Sequence, residues 1–116
     1  MIVMRRQNDF RRVKHSGKSW VHPLAVLQII KNSRSYSRIG FVASRHVGNA
    51  VKRNRVKRLM REAFHHHESN ILDGWDLLLI ARPTLGNCNV DDVISAVYYL
   101  LSQSALLMNS GTENSR

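Results

Sequence analysis

The alternation of apolar and polar positions along the chain predicts helices and strands in the order α-β-β-α-β-α. In residues 8–16, Phe10 and Val13 stand three positions apart, which is typical of the apolar side of a short helix. Residues 19–30 are typical of a strand region, but Pro23 interrupts them and cannot donate a hydrogen bond to a neighbouring strand. We therefore expect an edge strand, a bulged strand or two short strands in this region.

The middle and the end of the chain predict two further strands and two further helices. Residues 38–45 alternate, so that one face carries apolar side chains and the other carries small, mixed ones that can stay open to a ligand. The apolar run at residues 76–82 favours a central strand that is buried on both faces. Residues 90–107 predict a final amphipathic helix with Asn89 as its N-cap. These segments predict an α+β fold, a two-layer α/β sandwich with at least three strands.

The length of 116 residues suits a single domain. We expect this domain to span residues 1–108. Residues 109–116 are polar and are expected to form a disordered tail.

Residues 49–64 predict the most unusual helix of the chain, with Asn49 as its N-cap. At about 100° per residue, one arc is apolar and should pack on the sheet: Val56, Leu59, Met60 and Ala63, with Phe64 at its margin. Six basic residues lie between Lys52 and Arg61, and the only acid on this helix is Glu62. Cations near a helix N-terminus are unfavourable, because the helix dipole already places positive charge there. If a phosphate backbone lies against this end, both the cations and the dipole interact favourably with it. The helix therefore indicates a polyanionic partner.

The charge of the whole chain supports this interpretation. Lysine and arginine number 18 against 8 aspartate and glutamate residues, so the formal net charge is +10 with neutral histidines. Such an excess favours a nucleic acid as the partner. The sign of the charge alone does not choose between RNA and DNA.

Other classes of protein fit the sequence less well. No apolar run approaches the roughly 20 residues that span a bilayer, and the N-terminal residues lack the long apolar stretch of a secretory signal. Cys88 is the single cysteine, so no internal disulfide can form, and no metal-ligand or nucleophile pattern surrounds it. We therefore expect a cytoplasmic protein without a membrane partner.

The segment RIGFVASRHVGNAVKRNRVKRLMREAF, residues 38–64, closely resembles the signature of the protein subunit of bacterial ribonuclease P. The shared pattern is a glycine-containing strand, the sequence GNAV at residues 48–51, an RNR core at residues 53–55 and a basic continuation. The segments DFRRVKHSGKSW and DLLLIARP and the last helix extend the resemblance over most of the chain.

The resemblance implies an α/β sandwich with an unusual left-handed βαβ crossover. It also implies an endoribonuclease subunit, whose holoenzyme cleaves the 5′ leader from precursor tRNA to make the mature 5′ end. The catalyst in this family is the partner RNA with its bound metal ions, so we expect Mg²⁺ held mainly by the RNA and no catalytic residue or metal site in the protein. The implied partners are ribonuclease P RNA, in a 1:1 complex, and precursor tRNA.

The resemblance also implies two binding surfaces. The residues that would face the RNA subunit are Arg53, Asn54, Arg55, Lys57, Arg58 and Arg61. The residues that would bind the leader are Phe10, Arg11, Lys14, Arg45 and His46. Trp20 either contacts leader nucleotides or packs in the core, and core packing is the preferred alternative.

The chain departs from the family pattern at several positions. Lys14 stands where relatives often have an aromatic residue, which removes part of a stacking surface. His46 stands where lysine is common, so one charge becomes dependent on pH. The run of histidines at residues 65–67 is not part of the pattern, and neighbours on a helix differ by about 100°, so the three cannot all face one ion.

Three other hypotheses remain at this point. A ribosomal or ribosome-assembly RNA-binding protein would have the same charge and fold class. A DNA-binding regulator would need a helix-turn-helix partner helix and a dimer surface, and neither is evident. A protein nuclease using His15, His22 or residues 65–67 would need an acid–histidine or metal-ligand arrangement, which the sequence lacks.

Overall fold

The computed structural model describes residues 1–108, and the predicted tail at residues 109–116 lies outside them. Its three helices are α1 (Gln7–Ser16), α2 (Ala50–His65) and α3 (Val90–Gln103). Its five strands are β1 (Ile2–Val3), β2 (Lys18–Val21), β3 (Ala25–Lys31), β4 (Arg38–Val42) and β5 (Trp75–Ala81). The predicted α+β class is confirmed.

The five strands form one mixed sheet in the order β1-β4-β5-β3-β2. Strands β1, β4 and β5 are parallel neighbours, whereas β3 is antiparallel to both β5 and β2. Pro23 lies between β2 and β3, so the interrupted region forms two short strands, one of the three predicted alternatives. Strand β1 is an addition to the predicted order.

Alternation along the central strands divides the apolar side chains between the two faces of the sheet. On one face, Ile39, Leu77 and Leu79 belong to the main core, which also contains the buried side chains of α2 and α3. On the opposite face, Leu78 packs with Val13 of α1 in a smaller cluster. Helix α1 therefore lies across the sheet from α2 and α3.

Helix α2 connects β4 to its parallel neighbour β5, which makes a βαβ unit. The register places Gly40 opposite Leu78 and Phe41 opposite Leu79. The left-handed sense of this crossover stays a prediction from the family resemblance.

The last helix begins as predicted but ends earlier. Asn89 accepts a hydrogen bond from the backbone N–H of Asp92 (3.0 Å), and the Asp92 side chain completes a capping box. Helix α3 ends at Gln103, so the prediction that it reaches residue 107 is wrong. Ala105 has a φ of 61°, and the chain reverses so that the N–H of Leu106 donates to the carbonyl of Leu101 (3.0 Å). Leu106 is buried after a turn rather than along a helix.

Candidate nucleic-acid interface

Helix α2 is fixed to the sheet by an apolar stripe that differs in two places from the predicted one. Asn49 caps the helix as predicted, accepting from the N–H of Lys52 at 2.9 Å. Leu59 is only half-buried, whereas Phe64, predicted at the margin, is 2% exposed. The Phe64 ring packs edge-on against Phe41 of β4, with centroids 5.9 Å apart at 81°. This contact makes Phe64 part of the core.

The opposite side of α2 carries the predicted RNA-facing residues. Four of them are exposed and two are half-buried; in chain order the six are Arg53, Asn54, Arg55, Lys57, Arg58 and Arg61. Within residues 1–108, no acid forms an ion pair with any basic residue of this set. The structure therefore places these positive charges together without a neutralising partner from the described part of the chain.

Three of these arginines are oriented by contacts within the protein. Arg53 donates from Nη1 to the carbonyl of Gly48 at 3.0 Å, and Arg55 donates from Nη2 to the carbonyl of Gly86. The guanidinium of Arg61 lies 5.9 Å from the ring centroid of Phe41. Each guanidinium has five N–H donors, so these contacts leave further donors available for phosphate oxygens.

The predicted leader-binding residues of α1 lie on the other face of the sheet. The ring of Phe10 covers Gly40 of β4, and the side chain is half-buried. Arg11 and Lys14 are exposed, and Arg11 donates to Oδ1 of Asn8 at 3.0 Å. Phe10 therefore packs on the strand and still presents part of its ring, whereas the two cations point to solvent.

Arg45 and His46 are exposed in the loop that joins β4 to α2. The loop is held by Ser44, whose carbonyl accepts from the N–H of Val47 (3.0 Å) and whose hydroxyl accepts from the N–H of His46 (3.3 Å). This loop directly follows strand β4, the strand whose Gly40 lies under the Phe10 ring. Among residues 1–108, no hydrogen bond or ion pair joins Arg45 or His46 to α1.

Trp20 lies on the face of the sheet opposite to Phe10. It is half-buried and packs against the main core, which α2 and α3 cover. The structure therefore does not bring Trp20 and Phe10 together, and the two aromatic side chains cannot form one stacking surface.

A buried charge network, which the sequence patterns did not predict, holds α1 on the sheet. Asp76 at the start of β5 is fully buried and accepts from Arg38 at 2.9 and 2.6 Å, from Asn32 at 2.9 Å, and from Arg12. Arg38 also reaches Asp9 of α1 at 3.3 Å. The sequence does contain a signal of this network, because Asp76 is an acid at the start of the otherwise apolar run of residues 76–82. A carboxylate that is buried with such a run needs cationic partners.

These contacts set the ionisation of the network. Burial opposes the charge of Asp76, but the hydrogen bonds from Arg38 and Asn32 and the charges of Arg38 and Arg12 outweigh it, so the pKa of Asp76 is lowered. The hydrogen bond to Asp76 likewise raises the pKa of Arg38. Asp76 and Arg38 are therefore both charged at neutral pH.

The three consecutive histidines have three different environments. Nδ1 of His65 lies 3.2 Å from Glu68, His66 is exposed, and Nε2 of His67 lies 3.2 Å from the carbonyl of Ile94. Over residues 1–108, no three histidine, cysteine or acidic side chains are grouped in a way that could hold a metal ion. No helix in this part of the chain has the length and apolar character needed to cross a bilayer.

A mixed sheet that carries a capped, strongly basic helix defines an α+β domain of the nucleic-acid-binding class. The sequence model of the family described as Ribonuclease P matches residues 2–104. The chain therefore belongs to the ribonuclease P protein family.

Individual relatives agree with this assignment. The "Ribonuclease P protein component" of Alkaliphilus metalliredigens is 36% identical over 104 residues, which cover 90% of this chain and 94% of that protein. The structure of the Staphylococcus aureus RNase P protein matches with a TM-score of 0.83 and 28% identity, covering 92% of this chain and 98% of that one. The RNase P protein from Thermotoga maritima matches with a TM-score of 0.79 and 31% identity, covering 89% and 97%.

The family assignment confirms the main functional prediction. The chain is a protein component of ribonuclease P, the ribozyme that processes the 5′ leader of precursor tRNA, and so a subunit of an endoribonuclease holoenzyme. It also favours this function over the ribosomal alternative and the DNA-binding regulator.

Proposed function

We propose that the chain uses two separate surfaces in the holoenzyme. The exposed side of α2 binds the ribonuclease P RNA through Arg53, Asn54, Arg55, Lys57, Arg58 and Arg61. The surface formed by α1 and the end of β4 binds the single-stranded 5′ leader through Phe10, Arg11, Lys14, Arg45 and His46.

The observation that supports the first surface most strongly is the grouping of cations on α2 without ion-pair partners among residues 1–108. Mutual repulsion of these charges costs free energy in the isolated protein, and a phosphate backbone removes that cost while releasing counterions. The positive end of the α2 dipole adds to the attraction. Arg53 and Arg55 are already held by carbonyl groups, so less side-chain freedom is lost when RNA binds.

The second surface combines an aromatic ring with exposed cations, which suits a single-stranded nucleic acid. The half-buried ring of Phe10 is fixed on β4 and offers its remaining surface to an unstacked base. Lys14 and Arg11 on α1, with Arg45 and His46 beyond β4, are exposed and able to contact the phosphates on either side. Two surfaces on opposite sides of the sheet would allow one small protein to touch catalyst and substrate together.

Within this arrangement the protein contributes binding and orientation, and we assign no catalytic residue to it. Magnesium prefers carboxylate, carbonyl and water oxygens in octahedral geometry. The side chains of the two proposed surfaces instead offer guanidinium, ammonium, imidazole and aromatic groups, with the Asn54 amide as their one oxygen ligand, and this set does not fit that ion. We therefore assign the expected Mg²⁺ mainly to the partner RNA. The protein would neutralise phosphates of the RNA and hold the leader so that the scissile bond is presented to the RNA.

The proposal further includes one domain over residues 1–108, one protein per RNA subunit, a cytoplasmic location and no membrane partner. Analytical ultracentrifugation of the reconstituted complex measures the stoichiometry directly. A mass that corresponds to two proteins per RNA would contradict the 1:1 assignment.

Reconstitution tests the proposed function. The chain is added to ribonuclease P RNA at a magnesium concentration too low for the RNA alone, and cleavage of precursor tRNA is followed. We expect cleavage at the mature 5′ end to be restored, and to be restored poorly by the Arg53→Ala, Arg55→Ala double variant. If the unaltered chain restores no cleavage, the proposed function is wrong.

A further inference from the structure

A groove lined by both tryptophans of the chain opens near the C-terminal end of α3. It has a volume of about 330 Å³ and lies over β2, β3 and the start of β5. Ile29, 4% exposed, lies at its base, and Trp20 and Trp75 line it. Lys18 and Lys31 lie at its edge, and both are exposed. We call these five residues the tryptophan groove.

The sheet register explains why these side chains converge. Lys18 stands opposite Ile29, and Lys31 stands opposite Trp75. Trp20 is two residues from Lys18 on the same strand, so it projects from the same face of the sheet. The ammonium group of Lys31 lies 5.6 Å from the centroid of the Trp75 ring, which is a cation–π contact. Two flat rings and two cations therefore surround one apolar base.

The lining of the groove selects its class of ligand. Both indoles are half-buried, so each has apolar surface that is still in contact with water. No aspartate or glutamate lines the groove among residues 1–108, and the two lysines disfavour a cationic guest. Flat apolar walls beside ammonium groups suit a nucleobase and its phosphate, the arrangement by which proteins bind single-stranded nucleic acids.

The groove also reaches the C-terminal end of α1, the helix that carries part of the surface that we assign to the leader. Ser16, the last residue of α1, lines it. A side chain at Gly17 would come within 2.5 Å of the Val13 carbonyl oxygen and 2.8 Å of the Ile29 carbonyl oxygen. The glycine therefore lets the end of α1 lie directly against β3, next to Ile29 of the groove.

We propose that the tryptophan groove binds an unstacked nucleotide of the precursor tRNA leader, beyond the part that contacts Phe10 and Lys14. This inference rests on the proposed function, because the groove would bind leader nucleotides that lie beyond those bound by α1 and the end of β4. The groove therefore makes the holoenzyme bind precursor tRNA with a long leader more tightly than precursor tRNA with a short leader.

The fluorescence of the two tryptophans tests this inference, since RNA contributes no tryptophan signal. Reconstituted holoenzyme is titrated with precursor tRNA carrying a long leader, with precursor carrying a short leader, and with mature tRNA. We expect the long leader to quench the emission and the other two ligands to leave it unchanged. Trp20→Phe and Trp75→Phe assign the quenching to each ring while keeping an aromatic wall.

A charge variant gives a second, independent measurement. The Lys18→Gln, Lys31→Gln double variant should bind the long-leader precursor at least about fivefold more weakly, with a salt-dependence slope lower by about 0.7 for each lost contact. Its affinity for the short-leader precursor should not change. The matched control is Arg5→Gln, Arg82→Gln, which removes two exposed charges outside the groove.

Two results would overturn the inference. One is equal quenching by mature tRNA, by the short leader or by formation of the RNA–protein complex alone, which would mean that the groove does not contact the leader. The other is an effect of the lysine variant no larger than that of its control. If Phe10→Ala still weakens leader binding in that case, only the groove assignment fails; if it does not, the proposed leader surface fails as well.

Discussion

The aromatic ring of Phe10 lies directly over Gly40, so that helix α1 rests on the bare backbone of strand β4. A Cβ atom at residue 40 would stand 2.7 Å from Cε1 of Phe10 and 3.0 Å from Cδ1 of Leu78. The glycine of the strand and the aromatic residue of the helix are therefore one structural unit. This unit sets how much of the Phe10 ring remains available to a leader nucleotide.

Replacing Gly40 by alanine should displace the Phe10 ring. Such overpacking typically costs about 1–3 kcal/mol, which urea unfolding of the variant measures as a lower unfolding free energy. A Phe10→Leu, Gly40→Ala double variant should be more stable than the sum of the two single changes predicts, because the smaller side chain leaves room for the methyl group. Strictly additive changes would show that the ring does not pack on residue 40.

Arg53→Ala and Arg55→Ala should weaken binding of the RNA subunit more than they weaken folding. Each variant loses one hydrogen bond to a backbone carbonyl, which is worth about 1 kcal/mol. Each should also lower the salt-dependence slope of RNA binding by about one for each lost phosphate contact. The measurement is the dissociation constant at several salt concentrations, beside thermal unfolding of the same variants. Unchanged affinity and slope in both would remove these arginines from the RNA-binding surface.

Leu59 and Met60 are adjacent on α2 but should respond differently to alanine. Met60 is 0% exposed, so its truncation leaves a cavity and should cost about 2–5 kcal/mol. Leu59 is half-buried at the edge of the same core, so less apolar surface returns to water and the cost should stay below about 2 kcal/mol. Chemical denaturation of the two variants compares them, and equal losses would contradict the burial difference.

The Asp76 network should make the protein sensitive to acid. The pKa of Asp76 is lowered in the folded state, so the network's contribution is complete above the unfolded value of about 3.9 and is lost as the pH falls through the folded pKa. Unfolding free energies measured from pH 7 downwards should therefore decline below about pH 4. The Asp76→Asn variant should be less stable at pH 7 by about 3–5 kcal/mol, because Arg38 loses its buried partner, and should show a shallower decline.

Glu68 provides the control for this pH dependence. The hydrogen bond from the N-terminal amino group lowers its pKa as well, so it titrates in the same direction. The partly exposed Glu68 pair should be screened by salt, whereas the buried Asp76 network should respond little. The Glu68→Gln variant in moderate salt should therefore keep most of the decline in unfolding free energy at acid pH. If the decline disappears in this variant, Glu68 and not Asp76 is its source.

Local patterns predicted those elements whose burial repeats regularly along the chain. The Asn49 cap and the Asn89 cap are both present, because each depends on neighbouring residues alone. Strand β4 is also present, but it ends at Val42, and its second face, expected to stay open to a ligand, is buried at Gly40 beneath the Phe10 ring. Strand β1 has two residues and forms only through parallel pairing with β4, so no local period can reveal it. The predicted end of α3 at residue 107 was wrong for a similar reason. Leu106 and Leu107 continue the apolar stripe in the sequence, but the chain reverses at Ala105, and this turn buries Leu106.

The candidate surfaces were predictable to different degrees. The cations of α2 share one element, so their grouping follows from helical geometry once the buried side is known. Phe10 and Arg45 lie on different elements, and only the sheet connects them. The Phe64 contact with Phe41 and the pairing of Asp76 with Arg38 likewise join residues far apart in sequence. Such contacts depend on the tertiary structure, and the periodicity of apolar residues along the sequence cannot predict them.

The most direct test of the two-surface account measures two dissociation constants for the same variants. One is the affinity of the protein for the ribonuclease P RNA, and the other is the affinity of the RNA-saturated holoenzyme for precursor tRNA with its leader. Arg53→Ala, Arg55→Ala should weaken only the first, and Lys14→Ala, Arg45→Ala should weaken only the second, with Arg82→Ala as the charge control for both. If the two double variants change both constants to the same extent, the chain does not have separate surfaces for catalyst and substrate, and the account is wrong.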